Sequence, residues 1–215
     1  QYCWGHNVLG FETKQDILLT PLAAVRVSLF GSFQLLAPDG AEIVISNRRA
    51  RALLAMLCLA PDEPIDRDHL SKLLWPGRFE AQARASLRQC LLDLGKLLAA
   101  ADCDLLSISR SRISLNVKAV TSDLAVFETA LAKQQYLEAT SLLISIGAQP
   151  LLDQMHFGDD FGNWLDSHRR QIELRLQSAV SKALSVLERN GDLVDHAQLL
   201  NSWSVRYPSA DAIDE

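Results

Sequence analysis

The sequence predicts an α+β winged helix-turn-helix domain followed by an all-α, tetratricopeptide-like helical domain. Short β-branched and apolar segments come first, and three leucine-rich segments of helical periodicity follow them. A short hairpin pattern with arginines at its tip comes next, and after it only helical patterns remain. The order strands, helix, short strand, helix, helix, hairpin is that of a helix-turn-helix with a wing.

Composition places the chain among ordinary globular proteins, but its charge is unevenly distributed. Of the 215 residues, 48% are apolar and 22% are charged, which suits one or two domains with buried cores. The net charge is −5, yet residues 25–118 hold 13 Lys and Arg against 10 Asp and Glu, a net of +3. Residues 119–215 hold 7 against 14, a net of −7. This division predicts two domains with different partners.

The sequence contains no recognisable targeting or metal-binding pattern. No apolar run approaches the ~20 residues of a membrane span, and nothing reads as a signal peptide. The four cysteines are scattered, without the spacing of a metal or redox motif. We therefore expect a cytoplasmic protein without a cofactor, a metal or a membrane partner. The chain begins with Gln1 and ends without a closing signal, so residues 1–24 are expected to be a linker or the tail of a missing upstream segment.

Three short strands begin the predicted winged domain, residues 25–118. They cover residues 25–30, 33–36 and 42–45. Between the second and third lies Pro38-Asp39-Gly40, which is typical of a tight turn because proline presets φ and glycine accepts positive φ. Strands so close in sequence predict an antiparallel meander.

The first helix is predicted to begin after Ser46, whose hydroxyl can cap the first turn, and to end before Pro61. Arg48, Arg49 and Arg51 crowd its N-terminus, where the helix dipole disfavours positive charge. This placement predicts a phosphate contact by Arg48 and Arg49, with solvated surface charge as the alternative. The expected buried stripe is Ala50, Leu53, Leu54, Leu57 and Cys58.

The second helix is predicted to follow a short bridging strand at Pro64-Ile65, with Asp66 as its cap. Three leucines form its buried side. Trp75-Pro76-Gly77 ends it, because proline cannot continue the backbone hydrogen bonds and glycine relaxes the turn. The Trp75 ring is expected to pack in the core at the end of this helix.

The third helix, predicted over residues 76–101, carries the candidate site. Leu87, Leu91, Leu94 and Leu98 recur at helical spacing and form one stripe that can be buried. The opposite face offers guanidinium, amide and ammonium groups, which suit phosphates and base edges of DNA. An ordinary solvated helix face is the alternative. The side chains predicted to contact DNA are Gln82, Arg84, Ser86, Arg88, Gln89 and Lys96.

A hairpin follows, with predicted strands at residues 105–108 and 113–117. Its tip, Ser109-Arg110-Ser111-Arg112, carries two arginines with no acid beside them, which predicts a wing that touches the DNA backbone or minor groove. Bases are the expected targets of Arg88 and Gln89, because helix-turn-helix proteins read bases with the N-terminal half of this helix. Phosphates are the expected targets of Arg84, Lys96, Arg110 and Arg112.

The acidic half, residues 119–215, is predicted to be helical throughout. Asp123 is the expected cap of its first helix, and the second spans Tyr136–Ile146. A loop at 147–161 precedes a long helix, and Gly191-Asp192 turns the chain into a last helix that ends at Pro208. Antiparallel helix pairs with small residues at the crossings predict tetratricopeptide-like packing of about one and a half repeats, hence a truncated domain.

Several segments, in their order along the chain, resemble one family. VRVSLFGSFQLLAPDG is similar to its opening strands, RRARALLAMLCLAPDEPIDRDHLSKLLWP to its first two helices and ARASLRQCLLDL to its recognition helix. SDLAVFETAL, GAQPLLDQM, FGNWLDSHRRQIE and LERNGDLVDHAQLLNSWSVRYPSAD are similar to its second domain. This is the Streptomyces antibiotic regulatory protein (SARP) family of bacterial transcriptional activators. Its members join an OmpR/PhoB-type winged helix to a bacterial transcriptional activation domain.

The resemblance implies sequence-specific binding to double-stranded DNA, often by homodimers on direct repeats, and contact with RNA polymerase. Trp75, Gly77 and Arg78 match the loop that can face polymerase in such regulators. The chain departs from the family pattern at the wing tip and at two positions of the third helix. There Asp93 would oppose phosphate, and Gly95 costs the helix about 1 kcal/mol.

Two other functions compete with a DNA-binding transcription regulator. A protein–protein module whose winged helix no longer binds DNA is favoured by Asp93 and by the small positive net charge of the first half. An enzyme would have to use His156, Asp159, Asp160 and His168, which lack the fixed spacing that a metal site or a catalytic triad needs. We therefore expect a transcription regulator, and no enzyme.

Overall fold

The structure is a computed structural model that describes residues 24–61, 63–146 and 149–206. The predicted linker before residue 24 and the predicted end of the last helix at Pro208 lie outside these ranges. Within them, no helix is both long enough and apolar enough to cross a membrane.

The first sheet joins the start of the chain to residues that follow the hairpin. Strand β1 (Val25–Ser28) pairs antiparallel with β2 (Gln34–Leu36) and parallel with β6 (Val120–Ser122). The prediction of a third meander strand at residues 42–45 is wrong, since pairing there is limited to an isolated bridge between Leu36 and Glu42 and one hydrogen bond, from the N–H of Ile43 to the carbonyl of Leu35 at 2.8 Å. After this bridge, Ile45 is buried in the core just ahead of the first helix.

Three helices form the centre of the first half, and each buries the apolar side that its periodicity predicts. The whole predicted stripe of the first helix is buried. In the third helix, the stripe from Leu87 to Leu98 is buried and Leu92 points outward, 54% exposed. These helices are α1 (Arg48–Leu59), α2 (Arg67–Leu74) and α3 (Glu80–Ala100).

The helix starts depend on caps that the sequence locates to within a few residues. Asn47, not Ser46, caps α1: its Oδ1 accepts from the backbone N–H of Arg49 at 3.0 Å. The Asp66 cap of α2 is confirmed, with 2.8 Å from Oδ1 to the N–H of Asp68. Helix α3 begins four residues later than predicted, because Pro76 and Gly77, which has φ of 77°, keep residues 76–79 in a loop.

The hairpin is confirmed, and it belongs to a second small sheet. Strand β5 (Arg112–Leu115) pairs antiparallel with β4 (Leu106–Ile108) on one side. On its other side it pairs with β3 (Ile65–Asp66), so that Asp66 lies opposite Arg112. The strand before α2 therefore fixes the wing to the start of that helix.

The second half is helical from Asp123 onward, with α5 at the predicted bounds. The prediction that it is helical throughout is wrong at its start, because Val120–Ser122 form β6 and pair with β1. Asp123 is not the cap of α4: the Ser122 hydroxyl accepts from the N–H of Ala125 at 3.0 Å instead. Gly191, with φ of 78°, makes the predicted turn between the last two helices. The elements are α4 (Asp123–Ala132), α5 (Tyr136–Ile146), α6 (Asp159–Asn190) and α7 (Leu193–Arg206).

The two halves share one continuous apolar core and a set of backbone hydrogen bonds. The carboxylate of Asp123 accepts from the N–H groups of Leu29 and Phe30, at 2.9 and 3.1 Å. Just beyond β1, the N–H of Gly31 donates to the carbonyl of Pro150 at 2.8 Å. We call this joint between β1 and residues 149–153 the interdomain seam.

Candidate nucleic-acid interface

The outward face of α3 displays the side chains that the sequence singled out. Gln82, Arg84, Arg88, Gln89 and Lys96 are exposed, and Ser86 is half-buried. Behind them, Ala83, Leu87, Cys90 and Leu91 are buried against the other helices. The helix thus has a packed back and a polar front, which is the division of faces that a groove-reading helix requires.

Arg84 is engaged by two acids and is not a free donor. Its Nε and Nη2 lie 2.6 and 2.9 Å from the two carboxylate oxygens of Asp68 in the first turn of α2. Nη2 also donates to Glu80, one turn earlier on α3, at 2.6 Å. Until it exchanges partners, this guanidinium can offer a phosphate only Nη1, which bonds to no described residue, and cannot bind it in the bidentate geometry.

Two more polar side chains on this face are paired locally. The Ser86 hydroxyl donates to the carbonyl of Gln82 at 2.8 Å and accepts from Nη1 of Arg78 at 2.7 Å. Gln89 donates its amide to Oδ1 of Asp93 at 2.9 Å. Asp93 is therefore partly satisfied by its neighbour and does not stand as an isolated negative charge on the helix.

Arg88 and Lys96 differ from these residues because they have no partner. Neither makes a hydrogen bond or an ion pair with any residue that the structure describes. Arg88 lies in the N-terminal half of α3 and Lys96 lies in the C-terminal half. Of the two, Arg88 carries the planar fork of donors that matches the O6 and N7 acceptors of guanine.

The wing tip carries the two arginines that the sequence indicates, and a third arginine, at the start of α2, bonds to it. Arg110 and Arg112 are exposed at the tip. Arg67, the first residue of α2, donates from Nη1 to the carbonyl of Ser109 at 3.2 Å, and its backbone N–H donates to the carbonyl of Ser111 at 2.8 Å. The sequence could have indicated Arg67 as a candidate, because it directly follows the Asp66 cap and therefore lies in the first turn of α2, the first helix of the helix-turn-helix.

The first turn of α2 connects the wing to α3. Arg67 bonds the wing tip, and the next residue, Asp68, bonds Arg84 of α3. The wing tip and the N-terminal half of α3 are therefore both in direct contact with one helical turn. We call the arginines of this turn, of the wing tip and of the N-terminal half of α3 the arginine face: Arg67, which is half-buried, and the exposed Arg84, Arg88, Arg110 and Arg112.

Arg49, for which the sequence predicts a phosphate contact at the start of α1, makes two contacts within the protein. Its Nε donates to the carbonyl of Leu74 at 2.8 Å, and its guanidinium stacks 5.6 Å from the ring of Trp75. It thus satisfies a carbonyl at the C-terminus of α2, where a positive charge is favourable. Arg48 turns the same way, to the carbonyl of Gln154 at 3.5 Å and over the ring of Phe157.

The three residues predicted to face polymerase separate into two groups. Trp75 is 6% exposed beneath Arg49, so its expected core packing is confirmed and its ring offers no docking surface. Gly77 and Arg78 are exposed in the loop before α3. Phe79, which was not among the predicted contact residues, follows them in the chain and is 81% exposed.

Of the four residues that an enzyme would have to use, His156, Asp159, Asp160 and His168, only His168 makes a side-chain hydrogen bond with the described residues. His168 lies against Trp164 and bonds its carbonyl at 2.9 Å. Among the described residues, no three His, Cys, Asp or Glu side chains are grouped so as to hold a metal ion. Burial raises the pKa of the Cys58 thiol to about 12 and that of Cys90 to about 11, which keeps both protonated.

The fold that these elements define, a helix-turn-helix with a hairpin wing joined to a helical half, is similar to a solved structure. No family model matches the sequence, and no curated protein matches it. The structure of Mycobacterium tuberculosis EmbR in complex with a low-affinity phosphopeptide has a TM-score of 0.64 to this chain, at 22% sequence identity. The match covers 86% of this chain and 51% of EmbR, so the chain spans about half the length of that protein. The two proteins share a fold.

Proposed function

We propose that this chain is a sequence-specific, DNA-binding regulator of transcription of the SARP type, acting in the cytoplasm. The observation that carries the proposal is Arg88. Its guanidinium is exposed on the N-terminal half of α3 and makes no hydrogen bond or ion pair with the described residues. An unpaired arginine there is positioned to bind a guanine edge in the major groove.

The other members of the interface take supporting roles in the proposal. Gln89 reads a base after it exchanges Asp93 for an adenine edge, while Gln82 and Ser86 contact the DNA near the start of α3. Lys96, Arg110 and Arg112 bind phosphates and set the register of the protein on the duplex. Arg84 joins them after release from Asp68.

Activation requires contact with RNA polymerase, for which the loop before α3 is the proposed surface. Arg78 and Phe79 are exposed there side by side. An exposed aromatic ring beside an arginine is a combination enriched at protein–protein contacts. The tetratricopeptide-like second half, and binding as a homodimer on direct repeats, complete the proposed OmpR/PhoB-type activator.

The test is selection of bound sequences from random DNA, followed by gel shifts with variants. Arg88→Ala should weaken binding to the selected site by ~1–3 kcal/mol and relax the preference at one base position. Lys96→Ala should weaken binding to all sequences alike and lower the salt slope by about one. Arg170→Ala, an exposed arginine of α6, is the control and should change neither property. Unchanged affinity and base preference in Arg88→Ala would refute the docking of α3.

A protein–protein module is the second candidate, and it is favoured because Arg84 and Gln89 are already paired with acids. Arg84 is bound by Asp68 and Glu80, and Gln89 is bound by Asp93. A gel-shift titration with salt separates the two functions, because DNA binding by phosphate contacts must weaken as salt rises. Absence of binding at low salt, or binding without a salt slope, would support the module.

A further inference from the structure

A polar cleft lies where α1 meets the interdomain seam, apart from the arginine face. It encloses about 190 Å³ between the turn after β1 and residues 153–157. Two arginines from α1, Arg48 and Arg51, line it together with Asp153 and the ring of Phe157. Because its walls come from both halves of the chain, a molecule bound there touches both at once.

Arg51 is the unexplained group in this cleft. Its Nε is buried from solvent and has no hydrogen-bond acceptor, and no other described residue accepts from its guanidinium. A buried donor without an acceptor costs stability, so proteins rarely keep one without a compensating role. Arg51 also lines the cleft, so an acceptor bound there can contact the other nitrogens of this guanidinium.

Arg48 adds a second guanidinium, of which one nitrogen makes a hydrogen bond within the protein. One nitrogen reaches the carbonyl of Gln154 at 3.5 Å, and the guanidinium carbon lies 5.7 Å from the centre of the Phe157 ring. Neither Arg48 nor Arg51 forms an ion pair with a carboxylate of the described residues. Proteins commonly bind phosphate groups with guanidinium groups such as these two, which line one cleft and are not neutralised by a carboxylate.

Asp153 makes the cleft selective among anions. Its Oδ1 accepts from the N–H of Gln154 at 3.0 Å, while no described residue donates to Oδ2. A carboxylate repels a fully ionised anion, but it accepts a hydrogen bond from an anion that still carries a proton. Phosphate keeps a proton near neutral pH, whereas sulfate does not.

The walls of the cleft are held in place before any ligand arrives. The N–H of Asp153 donates to the carbonyl of Gly31 at 2.8 Å, and the N–H of Gly31 donates to Pro150 at 2.8 Å. Such preorganisation lowers the cost of ordering the site on binding. The cleft, with a volume of about 190 Å³, exceeds the roughly 10–15 Å³ of such space that one water needs, so it has room for a small anion.

We propose that the cleft between α1 and residues 153–157 binds a small phosphate-bearing anion, with Arg48 and Arg51 as donors and Asp153 as acceptor of the phosphate proton. Inorganic phosphate is the simplest such ligand, and a phosphate monoester is the other source of the same chemistry. Binding stabilises the seam because both halves contribute contacts. The proposal is independent of DNA binding by α3.

The test is calorimetry and thermal unfolding of the full chain with inorganic phosphate, a phosphate monoester or sulfate, at matched ionic strength. Phosphate should bind and raise the Tm in proportion to the logarithm of its concentration, and sulfate should do so less. Comparison of the affinities for inorganic phosphate and for the monoester shows whether the cleft prefers the free ion or a phosphorylated metabolite. Arg51→Met should weaken phosphate binding about tenfold or more, as expected for loss of a charge-assisted contact.

Three further measurements make the test decisive. Arg51→Met should keep the phosphate-free Tm, because no hydrogen bond is lost, and Asp153→Asn should narrow the preference for phosphate over sulfate. Arg170→Met, an exposed arginine of α6, is the control and should bind phosphate like the parent. The proposal is overturned by equal phosphate effects in Arg51→Met and the parent, or by a large drop in the phosphate-free Tm. A flatter salt slope of DNA binding in Arg51→Met, without phosphate present, would also overturn it, since the cleft would then hold DNA backbone.

Discussion

Arg84 of α3 and Asp68 of α2 form a bidentate ion pair across the helix-turn-helix, with nitrogen–oxygen distances of 2.6 and 2.9 Å. About half of each side chain is exposed. An ion pair with this much solvent access contributes at most about 1 kcal/mol to folding. Its larger consequence is that an arginine of the arginine face is neutralised where DNA phosphates would come.

We predict that Asp68→Asn increases the affinity for DNA of any sequence on the order of 3–10-fold at low salt. The substitution removes one acid from the face and frees Arg84 for one more phosphate, which should steepen the salt slope by about one. Gel shifts at several salt concentrations measure both effects. Asp104→Asn, an exposed aspartate without an ion pair, is the charge-matched control. A loss of affinity in Asp68→Asn would mean that the pair orients Arg84 for binding.

The helices could be predicted from the sequence because their signal is local. A leucine stripe such as Leu87 to Leu98 reports the buried face directly, and Gly191 marks the turn between the last two helices. The pairing of β6 with β1 could not be predicted. Val120–Ser122 is three residues long and pairs with a strand about ninety residues earlier, so nothing near it in sequence indicates the contact.

The sequence predicts which side chains the candidate site exposes, but not which of them are paired with residues of other helices. Exposure of Arg88 and Gln89 follows from the helix period, and the bond from Gln89 to Asp93 follows an i,i+4 spacing that the sequence displays. The pair of Arg84 with Asp68 joins two helices and needs the tertiary structure. The bond from Arg49 to the carbonyl of Leu74 could not be predicted for the same reason, because these two residues become neighbours only when α2 packs against α1.

Asp123 should make stability depend on pH. Burial raises its pKa to about 6, although the N–H groups of Phe30, Leu29 and Leu124 favour the charged form. The folded pKa is thus above the ordinary value, so the native state binds more protons than the unfolded state between these two pKa values. The contribution of Asp123 is largest below about pH 4, falls as pH rises to about 6, and is constant above that.

Urea unfolding of the parent and of Asp123→Asn from pH 4.5 to pH 8 measures this dependence. The difference in unfolding free energy between the two should shrink as pH rises to about 6 and then stay level. At pH 8 the variant should still be less stable by about 1–2 kcal/mol. The side-chain amide of the variant has one oxygen and cannot accept hydrogen bonds from all the N–H groups that donate to the Asp123 carboxylate. A difference that does not vary with pH would show that Asp123 does not titrate in this range.

Two glycines provide a matched test of backbone conformation. A Cβ added at Gly95 or at Gly191 meets nothing within 4 Å, so neither substitution is hindered by space. Gly95 lies inside α3, whereas Gly191 has φ of 78° at the end of α6. Gly95→Ala should stabilise the chain by about 1 kcal/mol, and Gly191→Ala should destabilise it by about 1 kcal/mol or more. Denaturant unfolding measures both, and the same sign for both would contradict the prediction.

Arg169 of α6 should hold the interdomain seam together. Its Nε donates to the carbonyl of Leu151 at 2.9 Å and its Nη2 to that of Leu152 at 3.2 Å, and both leucines are buried. Arg169→Met leaves these carbonyls without that donor, which should cost about 1–3 kcal/mol. The loss should be local to the seam, because the N–H of Leu152 donates to the carbonyl of Leu29 in the first half at 2.7 Å.

Hydrogen exchange followed by mass spectrometry locates this effect. In Arg169→Met, exchange should accelerate at the N–H groups of Gly31, Leu152 and Asp153, which form the seam, before it accelerates in α1. Arg170→Met changes the neighbouring exposed arginine and should leave the exchange unaltered. Uniform acceleration over the whole chain would instead show that Arg169 supports global stability, and that the two halves unfold as one cooperative unit.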